Sequence, residues 1–454
     1  MSDKAADRPA AVEKYGIEHI PEGDRHGTPS RVFTLWFAGN LTIADYVIGV
    51  LCTLAFGLTL AQAIPVLLVG NVLGGLFLGL SSAMGPSLGL PQMFSSRSSF
   101  GRRGNYVLGG LNWVSTAGWF TVNTILGTEA IQVLAPSMNF VLVASALVLV
   151  QVVIAVYGHD FIHLFEKVMS VVLGVLFLWI FVLTIPHLGQ ALAFVPPGAS
   201  AATAALGSVG TALAASFSYL MSWSPYASDY SRYLPSETSK RRVALMALVG
   251  GSIASFGVEA LGAVVGSITN SLDYFGSLYR FAGGSGVVAI LAIILGAVAA
   301  NALNIYTNSL SLLVLDVRVR RWIAVVAGGV FGLALALVGG SHFESFFENF
   351  LLALDYWITP WLAIILVDFA VGLTTSVSAV SARAWRAPTL LIYAASVAVS
   401  VPFMVPGLAL PFPVGSLAYL FSGADFSYFI SFGAAAVLET LYVYSRRRPS
   451  KGPD

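Results

Sequence analysis

Trp36-Phe37-Ala38-Gly39-Asn40-Leu41-Thr42-Ile43-Ala44-Asp45 is the stretch on which the reading of this chain turns. It sits inside a long apolar run, yet places Gly39, Asn40 and Thr42 near the depth at which a bilayer-crossing helix has no water to bond its backbone. An interruption there is tolerated only where the loosened backbone is buried in protein or lines a cavity. A second stretch repeats the pattern: Ser222-Trp223-Ser224-Pro225-Tyr226-Ala227-Ser228-Asp229, in which Pro225 brings no backbone donor and clashes with the preceding turn. Paired broken helices are where transporters with inverted repeats hold substrate, facing it with free backbone groups and half-helix dipoles.

The rest of the sequence agrees with a membrane setting. Of 454 residues, 57% are hydrophobic and 10% charged, with a mean hydropathy of +0.82, whereas soluble domains carry about 25% charged residues. Such a composition also excludes a disordered chain. A net charge of +1 gives no basic surface for nucleic acid. The single cysteine, Cys52, lies in an apolar run, has no partner for an internal disulfide and reads as a buried thiol.

A helix needs about 20 apolar residues to cross a bilayer. Twelve runs qualify, at 31–57, 62–84, 105–133, 139–158, 161–185, 204–234, 241–268, 284–314, 322–340, 343–369, 387–406 and 425–445. The first, sixth and tenth contain polar or Pro positions that predict interruption. The first 30 residues are polar and read as a tail without a secretory signal, and 446–454 as a second tail. Lys and Arg favour the cytoplasmic side. With the amino terminus inside, 22 of the 23 basic residues fall on that side and only Arg280 falls outside, which supports the count of twelve and puts both termini in the cytoplasm. The broken runs open 31–185 and 204–369, the spacing of two five-helix inverted repeats, with 387–445 an appended pair.

Polar residues at membrane depth are costly and mark function. Trp119 and Asn123 are four apart in the third run and share a face that can stack a flat ring and bond its edge. Asn301, Asn304 and Asn308 form a stripe in the eighth, suited to a nucleobase edge or, alternatively, to interhelical hydrogen bonds. Asp45, Glu129, Glu259 and Asp355 are intramembrane carboxylates that can titrate or bond neighbouring helices. Gly70/Gly74 and Gly75/Gly79 read as helix-packing pairs. His159, Asp160, His163 and Glu166 have a helical ligand spacing, but the remaining histidines (His19, His26, His187, His342) fall at loops or ends, so no metal site is expected. Gly283-Gly284-Ser285-Gly286 is a turn, and Asp229 and Arg232 are spaced for an ion pair.

At these positions the chain resembles the nucleobase–cation symporter-1 family, of the purine–cytosine permease type. The resemblance runs through Gly16-Ile17-Glu18-His19-Ile20-Pro21, Leu35-Trp36-Phe37-Ala38-Gly39-Asn40, Arg97-Ser98-Ser99-Phe100-Gly101, Gly118-Trp119-Phe120, His163-Leu164-Phe165-Glu166-Lys167, Tyr226-Ala227-Ser228-Asp229-Tyr230-Ser231-Arg232-Tyr233 and Val367-Asp368-Phe369. It implies an all-α polytopic fold of twelve transmembrane helices, LeuT-like, five plus five with two added, alternating access around a central site. In the family, tryptophans on helices three and six sandwich a planar ring, which Trp119 and Trp223 match. Its hydrogen-bonding groups carry over to Asn123, to Thr42 and to helix eight, where Asn304 comes first, Asn301 second and Asn308 third; Ser222 offers backbone.

Sodium-coupled members hold the ion between helix-one carbonyls, here Ala38 and Leu41, and helix-eight hydroxyls. Residues 291–300 contain no hydroxyl, and a hard cation wants oxygen ligands, so a proton is expected as the coupling ion, with sodium the alternative. Lys167 is placed either in the space of the absent ion or snorkelling to the interface. The resemblance implies symport of a nucleobase or related heterocycle into the cell across the plasma or inner membrane. It implies no catalytic residue, no cofactor beyond the transported proton or sodium ion, and no partner beyond the heterocycle and the bilayer, neither nucleic acid nor an obligatory protein. Transport of allantoin, a hydantoin, a vitamin precursor or an amino acid on the same fold is the alternative, and a membrane metalloenzyme a remote one.

Overall fold

The computed structural model describes residues 12–196, 202–339, 343–373, 383–405 and 414–446. Positions 1–11 and 447–454 of the predicted tails, and His342, lie outside the described residues. Among those described there are helices and turns and no strand.

The first apolar run is two helices, α1 (Pro29–Gly39) and α2 (Ile43–Leu54), bent by 54°. Pro29 occupies the first turn of α1, where its missing donor costs nothing, and Asn40 ends it by donating from Nδ2 to the Trp36 carbonyl at 2.7 Å. After α3 (Leu60–Ser82), opened by a capping box between Thr59 and Gln62, three short turns (Met84–Leu88, Gln92–Ser95 and Arg97–Phe100) lead to α4 (Asn105–Leu134). Then come α5 (Phe140–Tyr157) and α6 (His159–Thr184). The sixth run is broken as well: α7 (Ala202–Met221) stops before Ser222, and a 3-10 turn containing Pro225 leads into α8 (Ala227–Ser231). Next are α9 (Lys240–Thr269), the short α10 (Tyr274–Phe281), α11 (Gly286–Val314), α12 (Arg321–Gly339), α13 (Phe343–Ala370), α14 (Ala387–Ser400) and α15 (Ser427–Arg446).

Among the described residues, seven helices are by length and composition apolar enough to cross a membrane, or eight with the bent pair. α4 is not among them, because its Asn112, Thr116, Thr121, Asn123, Thr124 and Thr128 are all buried inside the protein, where lipid never meets them. Two expectations fail. The tenth run is one continuous helix despite Pro360. Pro360 leaves the Tyr356 carbonyl without its helix donor, while on either side of it the Trp357 carbonyl accepts from Tyr393 at 3.3 Å and the Asp355 carbonyl accepts from Thr359 at 2.7 Å. The eleventh run gives a helix of only 14 residues before a 3-10 turn at Val401–Phe403.

Two groups of helices pack separately around the middle of the molecule. α1, α2, α3, α7 and α9 interdigitate, and α11 packs on α4, α5 and α12. The four glycines of α3 serve that first group. A Cβ on Gly70 would lie 2.7 Å from the Ser216 hydroxyl on α7, and one on Gly79 would lie 2.5 Å from the Ala244 carbonyl on α9, so small residues set both helix spacings. On the periphery, Val168, Val171, Val175 and Leu178 of α6 are exposed, the apolar band that a bilayer would cover.

Candidate functional site

The two breaks face each other through aromatic rings. Trp223, at the second break, meets Trp36 of α1 with ring centroids 5.4 Å apart and Tyr226 at 5.2 Å. Trp119, midway along α4, stands edge-on to Tyr219 of α7 at 5.2 Å and to Phe350 of α13 at 5.2 Å. Each tryptophan is thus held by its own aromatic set. Both indole N–H groups are buried without a hydrogen-bond partner. One turn beyond Trp119, Asn123 donates to the Trp119 carbonyl at 3.1 Å, while its Oδ1 is buried and unpartnered. Buried polar atoms are nearly always satisfied, so these two donors and this acceptor stand out from the bonded groups around them.

Thr42 is fully buried at the first break. Its hydroxyl donates to Asp45 Oδ2 at 3.0 Å and shares a 2.8 Å bond with the Tyr219 hydroxyl. Ser222 turns its hydroxyl back onto the Tyr219 carbonyl at 2.7 Å. In the asparagine stripe of α11 the three residues do different work. Asn301 donates to the Phe120 carbonyl at 2.9 Å and to Thr124 and Gln151 at 3.2 Å each, joining α11 to α4 and α5. Asn308 likewise bonds the Trp113 carbonyl at 2.8 Å and Thr116 at 3.0 Å. Asn304 alone reaches the second break, accepting from Tyr226 at 3.3 Å and donating to Asn301 at 3.3 Å. Its long, weak bonds are the ones a ligand would displace.

Of the coupling candidates, the Ala38 carbonyl accepts the Leu41 amide at 3.1 Å. The Leu41 carbonyl runs against α11 at Gly296, where a Cβ would lie 2.3 Å away. Lys167 is exposed, so the structure does not bring it to the site. The inward face of α6 at that level carries His163 and Glu166, both buried, and Lys167 is turned away by helix geometry. Asp229 accepts from the Gln92 amide and from Thr307, both at 2.9 Å. Arg232 pairs with Glu13 instead of with Asp229.

The N-terminal segment, expected as a plain tail, closes the face that carries the basic residues. Glu13 Oε1 accepts from Arg232 at 3.0 Å, Tyr233 at 2.7 Å and Tyr306 at 3.0 Å; Oε2 accepts the His159 amide at 3.1 Å and lies 3.5 Å from Arg321. Burial alone would push this carboxyl up, but Arg321 and Arg232 outweigh it and hold it below the usual carboxylate range. Beside it, ligand-type atoms of His26, His159 and Asp160 gather within 4.8 Å, as a hydrogen-bonded knot in which His26 meets Asp160 at 2.8 Å and the His159 ring stacks on Tyr233. His163 bonds the Tyr230 carbonyl at 3.0 Å, and Glu166 takes no part.

Sequence reasoning missed Tyr219, Tyr226, Trp36 and Phe350. The spacing of Tyr219, Trp223 and Tyr226, at four and three residues, is the stripe that would have found the first two.

Residues 19–431 match the family described as permease for cytosine/purines, uracil, thiamine, allantoin. A Bacillus subtilis protein assigned by name to the purine-cytosine permeases (YxlA) is 30% identical, with 97% of each chain covered. The purine-cytosine permease fcyB of Emericella nidulans is 29% identical over 94% of this chain and 87% of its own. Among solved structures, Mhp1, a nucleobase-cation-symport-1 family transporter in a closed conformation with bromovinylhydantoin bound, superposes with a TM-score of 0.77 at 18% identity, covering 97% of this chain and 98% of that one.

Proposed function

The chain belongs to the family of permeases for cytosine/purines, uracil, thiamine and allantoin, and on that premise we propose that it imports a nucleobase of the cytosine or purine type, or a related planar heterocycle, by cation symport with alternating access. It is an integral membrane permease and not an enzyme. The observation that carries the proposal is the trio of buried, unpartnered polar atoms on α4 and at the second break: Trp119 Nε1, Asn123 Oδ1 and Trp223 Nε1. The two rings supply stacking worth about 1–3 kcal/mol per base. Asn123, Asn304 and Thr42 supply the edge contacts, and Ser222 contributes backbone. An amino acid as cargo would need a carboxylate and an ammonium captured at the breaks, and the aromatic walls disfavour it.

The packing supports a five-plus-five repeat within twelve spans. The helices of runs one and two lie with those of runs six and seven, and those of three and four with those of eight and nine, as two related halves would place them. Rocking of one group against the other is the proposed motion. A proton is the proposed coupling ion, because the Leu41 carbonyl meets Gly296 in a stretch, 291–300, without a hydroxyl. The distribution of basic residues supports a cytoplasmic Glu13 face and cytoplasmic termini, in a plasma or inner membrane.

Uptake of labelled cytosine, adenine, hypoxanthine, uracil, allantoin and leucine, with and without sodium and across pH, tests these points together. Uptake of a base that rises with an inward proton gradient and ignores sodium is the expected result. Selective uptake of leucine would overturn the cargo, and sodium-dependent, pH-independent uptake the coupling ion.

A further inference from the structure

Behind the first break, between α2, α3, α7 and α9, lies a polar cluster whose two carboxylates, Asp45 and Glu259, have no part in the substrate contacts above. Asp45 Oδ1 accepts from Ser255 of α9 at 2.5 Å, and Oδ2 from Thr42 at 3.0 Å. One turn along α9 from Ser255, Glu259 Oε2 accepts from Asn71 of α3 at 2.6 Å and from Ser216 of α7 at 2.7 Å. Both carboxylates are fully buried. Two acceptors remain without a donor, Glu259 Oε1 and Asn71 Oδ1. Around the cluster, α2 presents Asp45, Tyr46 and Cys52, α7 presents Tyr219, and α1 carries Arg31 only at its start. Among the described residues neither carboxylate has an ion-pair partner.

This composition suits a proton better than a metal ion. The hydroxyls and the Asn71 amide direct hydrogens at three of the four carboxylate oxygens, so Glu259 Oε1 and Asn71 Oδ1 alone are left, too few for a hard cation that wants about six oxygen ligands. A proton on Glu259 Oε1 supplies the donor that the cluster lacks. The cluster also touches the substrate site: Thr42 joins Asp45 to Tyr219, and Tyr219 stands against Trp119. Of the other buried acids with unpartnered oxygens, Asp368 and Glu439 are paired with Arg386, and Glu166 and Asp355 share no hydrogen bond with Thr42, Trp119 or Trp223.

We propose that Asp45 and Glu259 carry the coupling proton, with Glu259 Oε1 its seat and the Asp45–Thr42–Tyr219 bonds its link to the bound ring. Loading breaks an O–H bond of an external hydronium, which leaves as water, forms one O–H bond on the carboxylate and makes the pair one charge less negative. Release toward the cytoplasm breaks that bond and returns the proton to water. The proposal rests on the proton-coupled symport above.

The test uses the full chain in proteoliposomes with labelled cytosine, adenine, hypoxanthine, uracil and allantoin. At one proton per substrate, a gradient of one pH unit supports about tenfold accumulation by the wild type. Glu259→Gln is expected to equilibrate without accumulating, yet to exchange label with preloaded substrate, and Glu259→Asp is expected to regain gradient-driven accumulation with a shifted pH profile. Wild-type accumulation by Glu259→Gln overturns the proposal, as does loss of both accumulation and exchange in both variants. If the wild type itself follows a sodium gradient and ignores pH, or transports none of the five compounds, the underlying functional reading has failed, and that is visible before any variant is made.

Discussion

Two polar regions of this protein, the one around the helix breaks and the Glu13 closure on the basic face, differ in how their buried polar groups are partnered. At the closure each oxygen of the central carboxylate has partners: Glu13 alone gathers Arg232, Tyr233, Tyr306, the His159 amide and Arg321. Around the breaks, Trp119, Trp223 and Asn123 keep buried polar atoms without any. Burial is alike in the two places, so it does not distinguish them. What differs is whether the protein itself completes the bonds of the central group: both Glu13 oxygens are engaged, although Arg232 Nε and Arg321 Nε beside it are not. A saturated network holds one conformation together, and an unsaturated one is stable only because something else completes it.

The largest effect should come from breaking the saturated side. Glu13→Ala leaves Arg232 and Arg321, both nearly inaccessible, without their carboxylate, and removing one partner of a buried pair costs about 3–5 kcal/mol. The thermal midpoint in detergent should fall accordingly. A cysteine introduced at Leu313, which lies against Gly16 under the N-terminal segment, should label faster in a Cys52→Ala background. An unchanged midpoint and labelling rate would show that the closure is held by packing alone.

On the unsaturated side the loss should appear in transport and not in stability. Trp119→Ala or Trp223→Ala removes a stacking face worth about 1–3 kcal/mol, so apparent affinity should drop by about 5- to 150-fold while membrane abundance persists. Uptake kinetics on isolated membranes decide this, and full affinity in both variants would remove the sandwich. Within α11 the same contrast narrows to three residues. Asn304→Ala should raise KM by about fivefold, the value of one hydrogen bond. Asn301→Ala should instead lower the thermal midpoint by the equivalent of about 0.6 kcal/mol, the mean for an interhelical bond in a membrane protein, and leave KM alone. The opposite outcome would exchange their roles.

Much of this was open to reading in the chain itself, for physical reasons. Apolar runs, and a Pro or Asn-Thr interruption within them, follow from backbone satisfaction in lipid, so both breaks were visible. The same rule misled at Pro360, which the continuous α13 accommodates among packed neighbours that nothing local announces. α4 shows the converse, since its polar face is legible as a site although its hydropathy falls short of a span. The Glu13 closure joins residues 13, 159, 232, 306 and 321, separations that no periodicity encodes. Lys167 was ambiguous because two faces of α6 differ by one residue, and only the packing shows which is inside.

The smallest effect lies at the rim of the basic face and checks whether exposure, more than geometry, sets the worth of a saturated carboxylate. Asp316 accepts from Tyr106, from Arg97 at 3.0 Å and from Arg102 at 2.8 Å. Partial burial pushes its carboxyl up, but the Tyr106, Arg102 and Arg97 hydrogen bonds and the Arg97 charge prevail and bring it down to about 2. A carboxyl lower in the folded state than in the unfolded one, about 3.9, contributes stability that is fully present above pH 4 or so and is lost as pH falls toward 2. Arg102 is 54% exposed, so water and salt screen the contribution to less than about 1 kcal/mol. Thermal midpoints between about pH 5 and 2 should therefore fall slightly less for Asp316→Asn than for the wild type, and the difference should shrink in high salt. Glu13 has the same sign but is sealed from solvent, so its loss on acidification should persist in high salt. If the Asp316 difference proved as large and as salt-resistant as that of Glu13, the number of hydrogen bonds would matter more than burial, and the rim would belong to the closure.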